Sequence, residues 1–424
     1  MDFNTLLIRL GMDPGCFENR MNEPVRTEEG YIYEVRQRSD ERKCPYCRSH
    51  KAVVNGYYYT ETNCSETDQI RDILRIRKVR FKCQECGKTF TPEVRGIERY
   101  AKISGQTRNM IVNDFRKMMT FSQIAERYGI TSARVLQIFD EEIKYVPRRP
   151  LPFALCIDEI RFEEDPGHKY CCVLYDFETG DIVDIIRSRQ MPYLDEYFSS
   201  IKESERDKVR YFISDMYDGY RTVKKRYFRK ALHIVDLFHT VSQLTVPVNK
   251  IRVSAMNRLE KGSPEYNFMK SHWKLFLCRR EKIPNRFYTY MKTGEVFHYD
   301  DMVFRCILKD DILLEAYNAL QDLFHYHEKD TFQEAFEFIL YTAERLEESG
   351  NPLLEAAGAT YRRWAPEIAN GTARNQRGRR YTNAIAESDN NHLKTIIKTA
   401  YGYHNFDRFR KRAMIIITYK KIRK

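Results

Sequence analysis

Residues 151–159 of the chain read Leu-Pro-Phe-Ala-Leu-Cys-Ile-Asp-Glu, a short and mostly apolar run that ends in two carboxylates. A brief apolar run that follows a proline-rich segment is typical of a buried strand. A second run of the same kind, Tyr211-Phe-Ile-Ser-Asp215, also ends in an aspartate. An aspartate after a strand is more often a turn former than a ligand, so neither one alone indicates a site.

The sequence around these two runs predicts a sheet of mixed direction. Alternating segments at residues 170–177 and 182–188 flank the turn Glu178-Thr179-Gly180 and predict a hairpin. A helical segment follows from Pro192, and a second helix precedes a strand at residues 232–236. Three antiparallel strands followed by alternating helices and strands are the order of a ribonuclease H-like α/β fold.

In that fold the ends of the first and fourth strands lie side by side, so we expect Asp158 and Asp215 to meet. Two carboxylates provide half of a site for a hard cation such as Mg²⁺, which prefers carboxylate oxygens and retains waters. The remaining protein ligand is expected from a later helix.

The N-terminal region contains two Cys-x-x-Cys pairs, Cys44-Pro-Tyr-Cys47 and Cys83-Gln-Glu-Cys86. Each pair can place two thiolates on one side of a tight turn, and four thiolates make a tetrahedral zinc site. Alternating runs at residues 52–59 and 73–81 predict the strands of a zinc ribbon between the pairs. His50 and Cys64 are alternative ligands. We expect the zinc to be structural, because four protein ligands leave no open position.

Residues 121–138 fit a helix-turn-helix. Gly129 supplies the turn, and either Thr131 or Ser132 is expected to cap the second helix. That helix leaves Ser132, Arg134 and Gln137 as the residues predicted to face the major groove of DNA. The alternative is an ordinary helical hairpin. Three prolines between residues 144 and 152 then predict a linker.

The charge of the chain favours a polyanionic partner. Lysine and arginine number 72 against 60 acidic residues, a formal net charge of +12. Between residues 374 and 424 there are 14 basic and 3 acidic residues, so this segment carries most of the excess. Such an excess is typical of nucleic-acid binding, although a basic run alone is equally well a solvated helix face.

The basic C-terminal segment also contains the candidate for the third metal ligand. Residues 383–398 read Asn-Ala-Ile-Ala-Glu-Ser-Asp-Asn-Asn-His-Leu-Lys-Thr-Ile-Ile-Lys. Helical spacing puts four of their side chains on one stripe: Glu387, Asn391, Lys394 and Lys398. We interpret Glu387 as a metal ligand whose neighbours bind the DNA backbone. The alternative is an exposed helix stabilised by local charge pairs.

Several of these segments together resemble a known family. They are Ile157-Asp158-Glu159, Ile213-Ser-Asp215-Met-Tyr, Val235-Asp-Leu-Phe-His239, Glu387-Ser-Asp-Asn-Asn-His-Leu-Lys394 and Ala400-Tyr-Gly-Tyr-His-Asn-Phe406. They resemble the DDE transposases of bacterial insertion sequences, specifically those of the ISL-three type. An N-terminal zinc-binding region and a helix-turn-helix are similar in kind and order, so the resemblance covers nearly the whole chain.

The resemblance implies a DDE triad formed by Asp158, Asp215 and Glu387. It also implies that two Mg²⁺ or Mn²⁺ ions serve DNA strand cleavage and strand transfer. The chain departs from the family at Ser388, where glycine is common, and at Glu159, which follows the first aspartate. For the second triad position, Asp218 and Asp236 are the competing candidates.

Residues 240–371 predict a helical insertion into the catalytic domain, and the aromatic residues there are expected in its core. The predicted domain order is listed from the N-terminus: a zinc-binding domain (1–100), a helix-turn-helix with linker (101–150), the first part of the catalytic domain (151–239), the helical insertion (240–371) and the basic helical part of the catalytic domain (372–424).

Two other functions stay open. One is a transposase-derived zinc and helix-turn-helix regulator that binds DNA without catalysis, against which the intact triad argues. The other is a ribonuclease H-like nuclease that cuts without strand transfer. The expected partners are double-stranded DNA, as element ends and as target, and further copies of the chain in a homo-oligomer.

The sequence also predicts the compartment. No stretch has the pattern of a signal peptide, and the apolar runs are far shorter than a membrane span. Eleven cysteines, an odd number, indicate thiols and metal ligands and not a disulfide framework. We therefore expect a soluble protein of the reducing cytoplasm.

Overall fold

The computed structural model describes most of the chain in two compact units, one of residues 1–147 with 392–424 and one of residues 148–391. The described ranges are 2–38, 40, 42–67, 70–97, 102–165, 168–383, 386–399 and 405–422. Within them, the side chains of residues 65–67, 163–165, 168, 327, 386–389, 399 and 419–422 are outside the description.

The first unit begins with a helix and a sheet whose strands run in both directions. These elements are α1 (Phe3–Arg9), β1 (Phe17–Met21), β2 (Val25–Arg26), β3 (Gly30–Gln37), β4 (Ala52–Thr67), β5 (Ile70–Cys83) and β6 (Thr89–Phe90). The main strand order is β1-β3-β5-β4, with β3 and β5 parallel and β4 and β5 antiparallel. The runs predicted as strands at residues 52–59 and 73–81 lie within β4 and β5.

Three helices follow in the same unit: α2 (Gly105–Asp114), α3 (Phe121–Tyr128) and α4 (Ser132–Glu142). The predicted turn and cap are confirmed. Gly129 ends α3 with a left-handed φ of 62°, which glycine adopts at little cost. The Thr131 hydroxyl caps α4 by accepting from the N–H of Arg134 at 3.3 Å. Apolar residues of all three helices form one buried cluster that includes Ile124 and Val135.

The second unit begins with a five-stranded sheet flanked by helices. Its elements are β7 (Ala154–Asp165), β8 (His168–Asp176), β9 (Ile182–Ile186), α5 (Met191–Ser199), α6 (Glu203–Arg206), β10 (Tyr211–Ser214), α7 (Asp218–Tyr227) and β11 (Leu232–Val235). The strand order is β11-β10-β7-β8-β9, in which β7, β8 and β9 are antiparallel while β10 and β11 are parallel to β7. The predicted hairpin and alternation are therefore present.

Strand β7 differs from its prediction in length. The apolar run ends at Ile157, but the strand continues to Asp165 because β8 keeps pairing with it beyond that point, with Arg161 opposite Tyr170. Asp158 thus lies within the strand.

Residues 237–369 are mainly helical and have a core of their own. They form α8 (Leu237–Arg258), α9 (Pro264–Ser271), β12 (Phe287–Tyr290), β13 (Glu295–His298), α10 (Tyr299–Ile307), α11 (Asp311–Phe324), α12 (Phe332–Glu347) and α13 (Pro352–Ala369). The small hairpin of β12 and β13 was not predicted. Trp364 is buried in the core as expected, whereas Trp273 is 39% exposed. Two helices close the chain, α14 (Ala386–Thr399) and α15 (Phe406–Ile422).

Candidate functional site

Asp158 within β7 and Asp215 just after β10 occupy matching positions on neighbouring parallel segments. Ile213 of β10 pairs with Cys156 of β7, so each aspartate lies two residues beyond this pair on its own chain segment. Asp158 is held by two hydrogen bonds. Its Oδ1 accepts from the N–H of Glu159 at 2.8 Å, and its Oδ2 accepts from the side-chain amide of Asn390 at 2.5 Å. The strand pairing thus puts the two aspartates at adjacent positions of the sheet.

Asp215 has an unusual electrostatic environment. Burial raises the pKa of its carboxyl group from 3.8 to about 6, and the negative charges of Glu159 and, more weakly, Asp158 act in the same direction. His239 and the N–H of Tyr217, which donates to Oδ1 at 3.2 Å, oppose this shift. The three carboxylates are therefore close enough to repel one another when they are charged.

Glu159, noted in the sequence as a departure from the family, has partners of its own. It accepts from the hydroxyl of Tyr220 at 2.8 Å and from the guanidinium of Arg189 at 2.9 Å. Its charge is thus partly balanced by an arginine. Asp158, in contrast, accepts from two neutral N–H groups, the backbone of Glu159 and the side chain of Asn390.

The two competitors for the second position are engaged elsewhere. Asp218 is the first residue of α7 and forms an ion pair with Arg363. Asp236 is 3% exposed and accepts from the Thr382 hydroxyl at 2.6 Å and the Asn383 N–H at 3.0 Å. Asp236 therefore fastens the segment that precedes α14.

The helix that carries Glu387 contacts the same carboxylate group. Glu387 is in α14, but its side chain is outside the described residues, as are residues 400–404 of the family segment. Asn390 of α14 is buried and bonded to Asp158. Asn391, Lys394 and Lys398 are exposed. Asn390 was not among the predicted site residues, because it lies one position before Asn391 and outside the helical stripe that begins at Glu387.

The four cysteines converge as predicted. The sulfur atoms of Cys44, Cys47, Cys83 and Cys86 all lie within 4.8 Å of one another, the one group with such spacing among the described histidine, cysteine and acidic residues. The Sγ–Sγ separations are 3.7 Å for Cys44 and Cys86 and 3.5 Å for Cys47 and Cys83. Four thiolates bound to zinc at about 2.3 Å lie about 3.8 Å apart, so the cluster is compatible with zinc.

The environment of this cluster lowers the pKa of the Cys83 and Cys44 thiols and raises the pKa of the Cys47 thiol. The backbone N–H of Cys86 donates to the sulfur of Cys83 and lowers the pKa of that thiol to about 7. The alternative ligands do not join the group. Cys64 is fully buried in the core of the first unit, and burial raises the pKa of its thiol to about 12. His50 lies outside the group as well.

The predicted DNA-reading residues lie on α4. Ser132 is its first residue, and Gln137 is exposed and donates to Glu141 at 2.8 Å. The Arg134 guanidinium is 3.8 Å from Glu141. The N-terminal half of α4 is therefore polar and basic, while its C-terminal half is acidic.

Helix α15 supplies cations to this part of the unit. Arg408 forms a bidentate pair with Asp140 of α4 at 2.6 and 3.0 Å. Arg412 is 1% exposed and donates to the carbonyls of Lys117 and Met119 at 3.2 and 2.7 Å. Both arginines, counted in the sequence with the DNA-binding charge, hold α15 against α4 and the α2–α3 connection.

Among the helices in the described ranges, none combines the length and the apolar character needed to cross a bilayer.

Comparisons with known proteins identify the family of the chain. Residues 155–413, more than half of the chain, match the transposase family of the DDE, ISL3 (ISL-three) type. The chain belongs to this family of transposases. It is also 21% identical over 358 residues to the transposase for insertion sequence element IS1001 of Bordetella parapertussis, a match that covers 80% of each chain. The resemblance seen in the sequence is thereby confirmed.

Proposed function

We propose that this transposase binds the ends of an insertion sequence and catalyses metal-dependent DNA strand cleavage and strand transfer. The observation that carries the proposal is the position of Asp158 and Asp215 on neighbouring parallel strands, with α14 bonded to Asp158. All three elements fall within the segment that matches the transposase family. We further propose that the five-stranded sheet is a ribonuclease H-like fold, which the order β11-β10-β7-β8-β9 supports.

Asp158, Asp215 and Glu387 are the residues that would hold two Mg²⁺ or Mn²⁺ ions. Burial, followed by the negative charge of Glu159, raises the pKa of Asp215, and a hard divalent cation would favour the ionised carboxylate. Residues three apart share one side of a helix, so α14 would carry Glu387 on the side where Asn390 meets Asp158. Glu159 fits this role less well, because Arg189 already balances its charge.

Bound divalent ions would supply the Lewis acidity for in-line displacement at phosphorus by water or a 3′-hydroxyl. The carboxylates of the chain would fix the position of that chemistry, and the same residues would serve both cleavage and joining. Neither step needs a covalent link between the protein and DNA.

The cysteine cluster would hold a structural zinc ion. Four sulfurs at tetrahedral spacing leave no position open for a substrate. Elemental analysis of the purified protein should find one zinc per chain, and Cys83→Ser should lose it.

The DNA contacts would be divided between two helices. Half-buried Ser132 and Arg134 and exposed Gln137 of α4 would read base edges in a helix-turn-helix. Asn391, Lys394 and Lys398 on α14 would bind the phosphate backbone. We also propose the division into domains that the sequence predicts. We propose a homo-oligomer as well, because an insertion sequence has two ends that must be processed.

Glu387→Gln tests the catalytic part of the proposal. Glutamine is nearly isosteric and can still form hydrogen bonds, but it lacks the charge that holds a hard cation. We expect unchanged affinity for end-containing DNA and loss of both cleavage and joining, measured with Mg²⁺ and with Mn²⁺. Lys394→Ala is the contrasting variant, which should lose affinity but keep turnover at saturating DNA.

The outcomes separate the competing functions. Substantial turnover by Glu387→Gln at saturating DNA would remove Glu387 from the triad. Specific binding without any cleavage by the wild-type protein would favour a regulator, and cleavage without joining would favour a nuclease.

A further inference from the structure

We infer that Asn390, held by Tyr175, is a positioning residue that fixes the orientation of the Asp158 carboxylate for metal binding; this rests on the proposed function. The side-chain amide of Asn390 donates to Asp158 Oδ2 at 2.5 Å, and the Tyr175 hydroxyl donates to Asn390 Oδ1. Asn390 and Tyr175 are 5% and 1% exposed. The three residues form a short chain of hydrogen bonds whose first two members are buried and whose last member, Asp158, is half-buried.

The amide of Asn390 has only one orientation that satisfies this chain. Its oxygen must accept from the Tyr175 hydroxyl, and its nitrogen must donate to the carboxylate. Reversing the amide would place an oxygen against Asp158 and leave Tyr175 facing an N–H group. The Asp158 carboxylate, which only accepts, therefore requires the N–H end of the amide, and the Tyr175 hydroxyl holds the amide in that position by donating to its oxygen.

Asp158 is then restrained at both of its oxygens. Oδ1 accepts from the backbone N–H of Glu159 at 2.8 Å, and Oδ2 accepts from Asn390. A carboxylate has about four lone-pair positions, so each oxygen keeps one for a cation. Rotation of the group about its Cβ–Cγ bond would break both hydrogen bonds. The plane of the carboxylate is thus fixed before any ion arrives.

The hydrogen bond between Asn390 and Asp158 also involves α14, the helix that carries Glu387. Asn390 belongs to α14 and follows Glu387 by three residues, while Tyr175 belongs to β8 and pairs with Cys156 of β7. The hydrogen bonds therefore join the helix of Glu387 to the strands that carry Asp158. Outer-shell partners of this kind typically change metal affinity or activity by about 10-fold to 100-fold when they are removed.

The test is Mn²⁺ binding to the full-length protein, measured by calorimetry without DNA, alongside Mg²⁺ dependence of cleavage at saturating DNA. Asn390→Ala should weaken Mn²⁺ binding about 10-fold to 100-fold and raise the Mg²⁺ concentration needed for half-maximal cleavage by a similar factor. Tyr175→Phe should shift both in the same direction by a smaller factor, since the amide loses only its orienting partner. Affinity for end-containing DNA should stay unchanged.

Tyr361→Phe is the matched control. Tyr361 is also fully buried and also donates a hydrogen bond, but to the backbone carbonyl of Thr240 at 2.8 Å and not to a partner of Asp158. It should leave both metal measurements unchanged, so it reports the effect of losing a buried hydroxyl alone. If Asn390→Ala fails to fold, Tyr175→Phe carries the test.

The results distinguish this inference from the proposed function. Wild-type metal binding and metal dependence in both Asn390→Ala and Tyr175→Phe would overturn the positioning role while leaving the triad in place. A wild-type protein that binds no Mn²⁺ would overturn both. Weakened Mn²⁺ binding by the variants in a protein that cleaves no DNA would support the positioning role and count against the proposed reaction.

Discussion

At the scale of single residues, Asp215 illustrates how a site for a cation differs from an ordinary surface carboxylate. Burial, with Glu159 and Asp158 nearby, raises its pKa to about 6 from a model-peptide value of 3.8. The folded protein therefore takes up a proton at this group more readily than the unfolded chain does. Stability from this group is fully present below about pH 4 and is lost as the pH rises through 6.

Asp215→Asn should accordingly stabilise the metal-free protein at pH 7.5, where the aspartate is ionised and repelled by its neighbours. The gain should be on the order of 2 kcal/mol and should nearly vanish at pH 4.5, where the folded wild-type protein is protonated at this position. Thermal unfolding at the two pH values, with and without Mn²⁺, measures the effect. The variant should also lose the stabilisation that Mn²⁺ gives the wild type.

Asp218→Asn is the control for this prediction. Asp218 is exposed and paired with Arg363, and such pairs contribute little to stability. Its substitution should change the unfolding temperature only slightly at either pH. Equal changes in unfolding temperature for the two asparagine variants would mean that the charge of Asp215 does not destabilise the folded protein.

At the scale of secondary-structure elements, α15 is bound into the first unit by a buried cation. The Arg412 guanidinium lies 5.4 Å from the ring of Phe115 and 5.0 Å from that of Phe121. It also donates to two carbonyls of the connection between α2 and α3. A charge buried in this way is stabilising only while its partners are present.

Arg412→Ala should destabilise the first unit by about 3 kcal/mol, because it leaves the carbonyls of Lys117 and Met119 without this donor and opens a cavity between aromatic rings. Arg408→Ala, which removes a more exposed pair with Asp140, should cost about 0.5 kcal/mol. Urea unfolding followed by circular dichroism measures both. A cost for Arg412→Ala no larger than that for Arg408→Ala would contradict the packing role.

At the scale of the whole molecule, the first unit is built from distant parts of the sequence, residues 1–147 and 392–424. Deleting the N-terminal region would therefore also remove the packing partners of α15. Single substitutions on α4 and α14 test the division of DNA contacts without this side effect.

Arg134→Ala should reduce the preference for element ends over unrelated DNA, because base contacts specify a sequence. Lys394→Ala should weaken binding to both kinds of DNA alike and lower the slope of log K against log salt concentration by about 1. Competition binding at several salt concentrations measures both quantities. A loss of end preference in Lys394→Ala, with none in Arg134→Ala, would reverse the proposed roles.

Local patterns in the sequence determined much of this protein. The spacing of the cysteine pairs predicted the sulfur cluster, and short apolar runs together with alternating segments predicted strands β7 to β11. Gly129 and Thr131 predicted the turn and the cap between α3 and α4. These features depend on residues close together in the chain, so they can be predicted without knowledge of the packing. The short segments that resemble the transposase family could be recognised for the same reason.

Only the tertiary structure decided which partners those elements meet. The donor to Asp158 is Asn390, 232 residues away, although the helical stripe directed attention to Asn391. Arg412 is buried against Met119, 293 residues away, although its charge suggested DNA. The Asp236 carboxylate accepts a hydrogen bond from the Thr382 hydroxyl, and this contact distinguishes Asp236 from Asp215. Such pairings depend on how whole elements pack, and a residue's local sequence carries no record of the distant side chain that will satisfy it.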